Sequence, residues 1–163
     1  MLYILCMNRA TVVVFLLLFS AQLLASDLNA SIATLESDWA SAYYQNDESR
    51  QKQAYPELLE KAKELVNRYP NAAEPKIWQA TIMSTNAAFE SSLTALATLE
   101  TAKKLLEEAI RINPRALDGA AYVTLGTLYY MLPGWPVSFG DDGNGDVVCA
   151  TLGCVCVRGT ATC

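Results

Sequence analysis

The sequence predicts an all-α protein built as an antiparallel helical repeat, an α-solenoid of about five helices. Apolar residues recur at helical spacing from about residue 28 to the early 130s, and short segments with proline or asparagine separate the periodic stretches. Two of those turns, residues 66–74 and 110–118, align on prolines that lie 44 residues apart. Helices joined by short connections pack as antiparallel neighbours, so the pattern predicts stacked helical hairpins. A helical bundle with similar turns is the alternative architecture.

Residues 1–25 are predicted to be a secretory signal peptide. Arg9 supplies a positive charge, and residues 10–25 form a nearly unbroken apolar run, shorter than the roughly 20 residues that span a bilayer. We expect cleavage after Ala25, although Leu23 is a poor match for the small residue usual two positions before the last residue of the signal. An uncleaved signal anchor is the alternative. The expected location is therefore periplasmic or secreted, in a bacterial envelope, with membrane contact only through an uncleaved signal segment.

Charge and composition exclude several functions. Removing residues 1–25 removes Arg9 from the 12 basic residues and none of the 17 acidic ones, so the net charge moves from −5 to −6. Such a domain repels phosphate backbones, which argues against nucleic-acid binding. The chain contains no histidine, which excludes Ser-His-Asp and Cys-His catalysis and imidazole metal sites. We expect no enzymatic activity, no cofactor and no metal.

The first two helices are predicted from their apolar stripes. The first, over residues 28–45, carries Leu28, Ile32, Leu35, Trp39 and either Ala42 or Tyr43. The second carries apolar residues over four turns: Tyr55, Leu58, Leu59, Ala62, Leu65, Val66 and Tyr69. Its polar face sets Glu57 before Lys61 and Glu64 before Arg68 at the favourable spacing of four. Pro70 is expected to end it.

Three further helices follow. The third begins near Glu74-Pro75, where proline suits a first turn, and runs to about Phe89; its Trp78, like Trp39, is expected in the core. Residues 91–94 are expected to be a break and N-cap region before the fourth helix, residues 94–112. That helix buries Leu96, Leu99, Ala102, Leu105, Leu106, Ala109 and Ile110. Asn113-Pro114 ends it, and the fifth helix covers residues 116–132.

Residues 122–129 carry the most informative motif. The pattern Tyr122-x2-Leu125-Gly126-x2-Tyr129 resembles the first-helix signature of a tetratricopeptide repeat (TPR). In such a repeat the glycine lets a neighbouring helix approach closely, so we expect Gly126 to be packed. Gly126→Leu should then cost on the order of 1–3 kcal/mol through overpacking. An unchanged melting temperature would count against the repeat assignment.

The segment just before this motif supports the same resemblance. Ala102, Ala109 and Pro114 match the small-small-proline pattern of a TPR second helix. The second helix of one unit therefore precedes the first helix of the next, as a repeat requires. The spacing of 44 residues between prolines exceeds the usual TPR length of about 34. We expect the additional residues between Thr85 and Thr98.

Residues 1–142 resemble periplasmic TPR-like proteins of Gram-negative bacteria. The most specific part of this resemblance is the segment 132–142, which reads Leu-Pro-Gly-Trp-Pro-Val-Ser-Phe-Gly-Asp-Asp. Some of these proteins are known as the T component associated with TRAP transporters. The resemblance implies a non-enzymatic domain over residues 26–142 that mediates protein–protein interaction with another envelope protein or transporter component. A ligand-binding accessory of a TRAP-type transport system is the alternative, and an enzyme of unknown type ranks third.

The loop after the fifth helix holds the candidate binding residues Trp135, Phe139, Asp141 and Asp142. One interpretation is a surface of aromatic rings beside carboxylates at the end of the solenoid. The other, which we favour, is that the two rings fill the interface to a next helix while the aspartates cap its N-terminus.

Residues 143–163 depart from the family pattern and are predicted to be an irregular, aberrant or frameshifted tail, leaving the last repeat incomplete and open to oligomerisation. Lysine and glutamate vanish there, and four cysteines appear: Cys149, Cys154, Cys156 and Cys163. Their spacing lacks the paired knuckles of zinc sites, although disulfides are compatible with an oxidising compartment. Asp142, Asn144 and Asp146 resemble a calcium loop, but Val147 stands where that loop needs glycine.

Overall fold

The computed structural model describes residues 9–45, 47–131, 155–157 and 160–162, with side chains over residues 26–44 and 47–130. The predicted all-α class is confirmed: five α-helices form the described body of the protein. None of the helices in these ranges is long and apolar enough to cross a membrane.

The first two helices form an antiparallel pair. Helix α1 covers Arg9–Gln45 and runs through the predicted cleavage point without a break; helix α2 covers Glu48–Arg68. Asp47 caps α2, since its carboxylate accepts a hydrogen bond from the backbone amide of Arg50 at 3.0 Å. The predicted pairs of α2 are present, with Glu57–Lys61 and Glu64–Arg68 both at 3.1 Å.

Helix α3 covers Glu74–Asn86 and begins with proline in its first turn, as predicted. A 3₁₀ turn, Ala87–Phe89, extends it to the predicted end. Ser91 then caps helix α4, Ser92–Ile112, which begins two residues before its predicted start. The connection therefore lies within the stretch where the sequence analysis expected the additional residues of the repeat.

The fifth helix begins later than predicted. Residues Ala116–Gly119 form a 3₁₀ turn, and helix α5 covers Ala120–Met131. Leu117, Asp118 and Gly119 all have positive φ, at 49°, 54° and 83°. Because left-handed backbone cannot continue a right-handed helix, the expected start at residue 116 is wrong by four residues.

The five helices form two layers. Each helix packs against the next along the chain, and α3 also contacts α1 on one side and α5 on the other. Helices α1, α3 and α5 therefore lie side by side in one layer, with α2 and α4 in the other.

Two apolar cores lie between these helices. The first core joins α1 and α2 to Ile82 of α3; its buried residues are Ile32, Leu35, Ala42, Tyr55, Leu58, Ala62, Leu65 and Ile82. The second core joins α3, α4 and α5; its buried residues are Ala73, Ile77, Ala80, Ala102, Leu106, Ala109, Ala116, Ala121, Leu125 and Leu128. The predicted apolar stripes supply nearly all of the first core, but in the second core they supply only Ala102, Leu106 and Ala109, and the repeat motif adds Leu125.

The tail differs in part from its prediction. Strand β1, Val155–Val157, pairs antiparallel with strand β2, Thr160–Thr162. These six residues form a short hairpin where the sequence analysis expected irregular backbone. The Val residues of β1 and the Thr residues of β2 are β-branched and favour extended structure. Of the four tail cysteines, Cys156 in β1 lies within the described residues and the other three lie outside them.

Candidate binding surface

Aromatic side chains cluster at the C-terminal end of α1. The ring of Tyr43 stacks on Trp39 with centroids 5.1 Å apart and planes 18° apart. Tyr44 stands edge-on to both, at 4.9 Å from Tyr43 and 6.2 Å from Trp39. Tyr43 is 43% exposed and Tyr44 75% exposed. The cluster therefore exposes its two tyrosine rings to solvent, and these rings pack against Trp39, which is partly buried.

The Trp39 ring, on which Tyr43 stacks, contacts side chains of α3. The ring of Trp39 meets the ring of Trp78 at 5.6 Å, and its indole nitrogen donates a hydrogen bond to the Thr85 hydroxyl at 3.4 Å. Thr85 in turn donates to backbone carbonyls of its own helix. Both tryptophans pack against the first core while keeping part of their surface exposed. The buried indole nitrogen of Trp78 has no hydrogen-bond partner among the described residues.

The floor of the cluster continues into the first core through Tyr55. Tyr55 is 1% exposed, and its ring lies 5.7 Å from that of Phe89. Burial raises the pKa of the Tyr55 phenol above its usual 10.0, an effect that a hydrogen bond with Thr85 partly offsets. Thr85 therefore forms hydrogen bonds with both Trp39 and Tyr55 and connects the aromatic cluster to the first core.

Two carboxylates lie on the same helical faces as these rings. Glu36 and Tyr43 are seven residues apart on α1, with Trp39 between them; Glu74 lies one turn before Trp78 on α3. Glu36 is exposed and Glu74 partly exposed. We refer to Glu36, Trp39, Tyr43, Tyr44, Glu74 and Trp78 as the α1–α3 surface.

Cross-helix contacts fix the direction of α1 relative to α2. The Tyr69 hydroxyl bonds to Asp27, Lys61 pairs with Asp38 at 3.0 Å, and the Gln51 amide donates to the Tyr43 carbonyl at 2.8 Å. As residue numbers rise on α1 they fall on α2, so the helices are antiparallel. The hydrogen bond that the Lys61 ammonium group donates to Asp38 raises the pKa of Lys61, and the bond to Glu57 adds to the effect.

The direction of α3 follows from that of α2. Residues 69–73 form a short connection between them, so α3 runs antiparallel to α2 and parallel to α1. Glu36 precedes Trp39 and Glu74 precedes Trp78, which sets both carboxylates toward one end of the α1–α3 surface. Tyr43 and Tyr44 follow Trp39 and lie at the other end.

Four residues of the predicted repeat signature belong to the second core or pack against it: Ala102, Ala109, Leu125 and Tyr129. Leu125 is buried, Tyr122, Gly126 and Tyr129 are partly buried, and Ala102 and Ala109 are fully buried on α4. The Lys103 ammonium group lies 5.3 Å from the centre of the Tyr129 ring. Pro114 is exposed in the turn after α4.

The adjacent carboxylates of α4 serve different partners. Glu108 pairs with the buried Lys76 of α3 at 3.1 Å, whereas Glu107 lies 3.8 Å from Lys103. Because adjacent positions on a helix do not face each other, the two carboxylates engage separate lysines. Within the described residues, no group of three or more histidine, cysteine, aspartate or glutamate side chains is placed to hold a metal ion.

The loop residues that the sequence analysis proposed, Trp135, Phe139, Asp141 and Asp142, lie outside the described residues. The α1–α3 surface was missed instead. The apolar stripe of α1 predicts that either Ala42 or Tyr43 is buried; the structure buries Ala42 and leaves Tyr43 exposed. Two adjacent tyrosines beyond the last buried position of an amphipathic helix were the available signal.

Comparison of the chain with protein-family models, with curated proteins and with solved structures gave no match. The fold and the surface together define an all-α protein of two helical layers with an aromatic and acidic patch on one of them.

Proposed function

We propose that this chain is a TPR-like helical-repeat protein that binds another protein and catalyses no reaction. The observation that carries the proposal is the side-by-side layer of α1, α3 and α5. In a repeat of helical hairpins, the first helices of successive units line the concave binding face. The hairpins α1/α2 and α3/α4 would then be two units, and α5 the first helix of a third.

The signature residues support this assignment. Ala102 and Ala109 are fully buried on α4, and the Leu125 side chain is buried on α5. Small residues on one helix and a leucine on the next are what close packing between successive repeat units requires. The partly buried Gly126 would lie at the boundary with a further helix.

The chemistry of the chain favours binding over catalysis. No histidine is present, and the adjacent carboxylates Glu107 and Glu108 are directed to separate lysines. An enzyme of this composition would need a convergent set of side chains from several helices. The α1–α3 surface instead offers exposed aromatic rings and two carboxylates, groups suited to holding the side chains of a partner.

We place the protein in the bacterial envelope, exported by residues 1–25. Mass spectrometry of the protein from its native envelope tests this: a chain beginning at Ser26 supports export and cleavage. A chain that retains its first residues and stays with the membrane fraction would support the signal-anchor alternative.

Site-specific photo-cross-linking tests the binding function. A benzoylphenylalanine at position 44, on the exposed face of α1, should give one discrete protein adduct in the native envelope. The same group at position 53, exposed on α2, should give none, because α2 lies in the other layer. If neither position yields a protein adduct and the purified chain carries a small organic molecule, the transport-accessory alternative replaces this proposal.

A further inference from the structure

We propose that the α1–α3 surface recognises a positively charged segment of the partner, with arginine or lysine side chains held by the tyrosine rings and the carboxylates. The inference rests on the proposed function and adds to it the chemistry of the bound segment.

The distribution of basic residues is the first observation. From residue 26 onward, α1, α3 and α5 contain a single basic residue, Lys76. Its side chain is only 6% exposed and pairs with Glu108. The exposed lysines and arginines of the described side chains lie on α2, on α4 and in the turn after α4. The layer of α1, α3 and α5 therefore presents no exposed cation in this part of the chain.

The carboxylates of the same layer are the second observation. Asp38 is engaged by Lys61 of α2. Glu36 and Glu74 make no ion pair within the described residues, and each precedes its tryptophan on one of two parallel helices, so both positions lie toward one end of the α1–α3 surface. A cation bound there would face two carboxylates and no competing positive charge. The net charge of −5 adds long-range attraction for a basic partner.

The tyrosines supply the other half of the recognition. The face of an aromatic ring attracts a cation through its quadrupole, and tyrosine is effective in this role. Because Tyr44 is 75% exposed, most of its ring is open to an incoming side chain. Tyr43 is fixed on Trp39 by stacking, so binding does not have to order it first.

The same features argue against other occupants. An acidic peptide would meet Glu36 and Glu74 with no exposed basic residue to offset them. An entirely apolar helix would bury those two carboxylates without partners, which is costly. A basic segment satisfies the carboxylates and uses the ring faces, so it matches both parts of the surface.

Binding of a defined peptide to the full chain tests the inference. The probe is a short fluorescent peptide in which glycine and arginine alternate, measured by anisotropy at low ionic strength. Its control has citrulline at every arginine position, which keeps the size and planarity of the side chain but removes the charge. We expect the arginine peptide to bind and the citrulline peptide to bind at least about tenfold more weakly.

Matched variants locate the site. Tyr43→Ala/Tyr44→Ala should weaken binding of the arginine peptide about fivefold or more, and Glu36→Gln/Glu74→Gln by about threefold to tenfold. Tyr130→Ala on α5 and Glu100→Gln on α4, both exposed positions away from this surface, should change it less than about twofold. Circular dichroism of each variant checks that it remains folded.

The outcomes separate this inference from the proposed function. Equal binding of the two peptides, or equal weakening by the control variants, would overturn the cationic assignment. If position 44 still cross-links to a protein in the envelope, the binding function stands while the chemistry of the partner is different. Absence of any protein adduct would remove the proposed function itself.

Discussion

The two cores of this protein are built from different side chains. The first core, between α1 and α2, contains Tyr55 together with isoleucines and leucines, and tryptophan and tyrosine rings close its edge. In the second core, alanine occupies six of the ten buried positions. Large side chains hold helices apart and leave room for polar groups at the margin, as at Thr85. Alanines bring helix backbones close together and leave little space for adjustment.

The ion pairs near the two cores also differ, in how far their lysine side chains are exposed to solvent. Lys61 bonds to Asp38 and Glu57 in the open, with half of its side chain exposed. Lys76 beside the second core is 6% exposed and reaches Glu108 across α3 and α4. A pair in water contributes little, whereas a buried charge that loses its partner is costly. The second core should therefore be the more sensitive one to substitution.

The largest expected effect is a cavity in the second core. Leu106 is fully buried and its neighbours include several alanines, which cannot reach across the space that a truncation leaves. Leu106→Ala should lower the free energy of unfolding by about 2–5 kcal/mol in urea denaturation. Leu93→Ala, on the same helix but 85% exposed, should change it by less than about 0.5 kcal/mol. Similar losses for both would show that α4 is not packed as described.

Overpacking the second core should come next. Ala109 is fully buried where α4 meets its neighbours, and Ala109→Leu is expected to cost about 1–3 kcal/mol. Ala97→Leu on the same helix is exposed and serves as the control. Thermal unfolding followed by circular dichroism compares the two. A stabilised Ala109→Leu variant would mean that the close approach of helices in this core is wrong.

The ion pairs sharpen the comparison. Glu108→Gln leaves the Lys76 charge buried without its carboxylate and should cost about 1–3 kcal/mol, and adding Lys76→Met should restore most of the loss. Asp38→Asn should cost less than about 1 kcal/mol, because Lys61 is half exposed and keeps Glu57. Equal losses of unfolding free energy for Glu108→Gln and Asp38→Asn would contradict the expectation that the second core is the more sensitive one.

The smallest effect concerns pH in the first core. Because burial raises the pKa of Tyr55 above 10.0, the folded state favours the neutral phenol. That stability is fully present below about pH 10 and is lost as the pH rises through the raised pKa. Melting temperatures measured upward from that pH should fall less steeply for Tyr55→Phe than for the unaltered protein. Tyr44→Phe, at an exposed position, should keep the original slope.

Much of this architecture follows from local sequence rules. The stripe of α2 and the prolines at positions 70, 75 and 114 predicted helix ends to within a few residues, since proline restricts the backbone whatever the surroundings. The start of α5 did not follow, because three left-handed residues depend on how the turn is packed. The α1–α3 surface did not follow either. Periodicity identifies a stripe, but only the packing of the neighbouring helices decides that Ala42 is covered and Tyr43 is left open.

The left-handed turn before α5 has a consequence for how the molecule comes apart. Holding a residue other than glycine in this conformation costs roughly 1–2 kcal/mol, and Leu117 and Asp118 are both held there. When α5 detaches from the other helices, Leu117 and Asp118 can leave the left-handed conformation. The strain that is relieved offsets part of the contact energy lost when α5 detaches. Helix α5 should therefore open before the rest of the described fold, and its amide hydrogens should exchange with solvent through this partial opening rather than through complete unfolding.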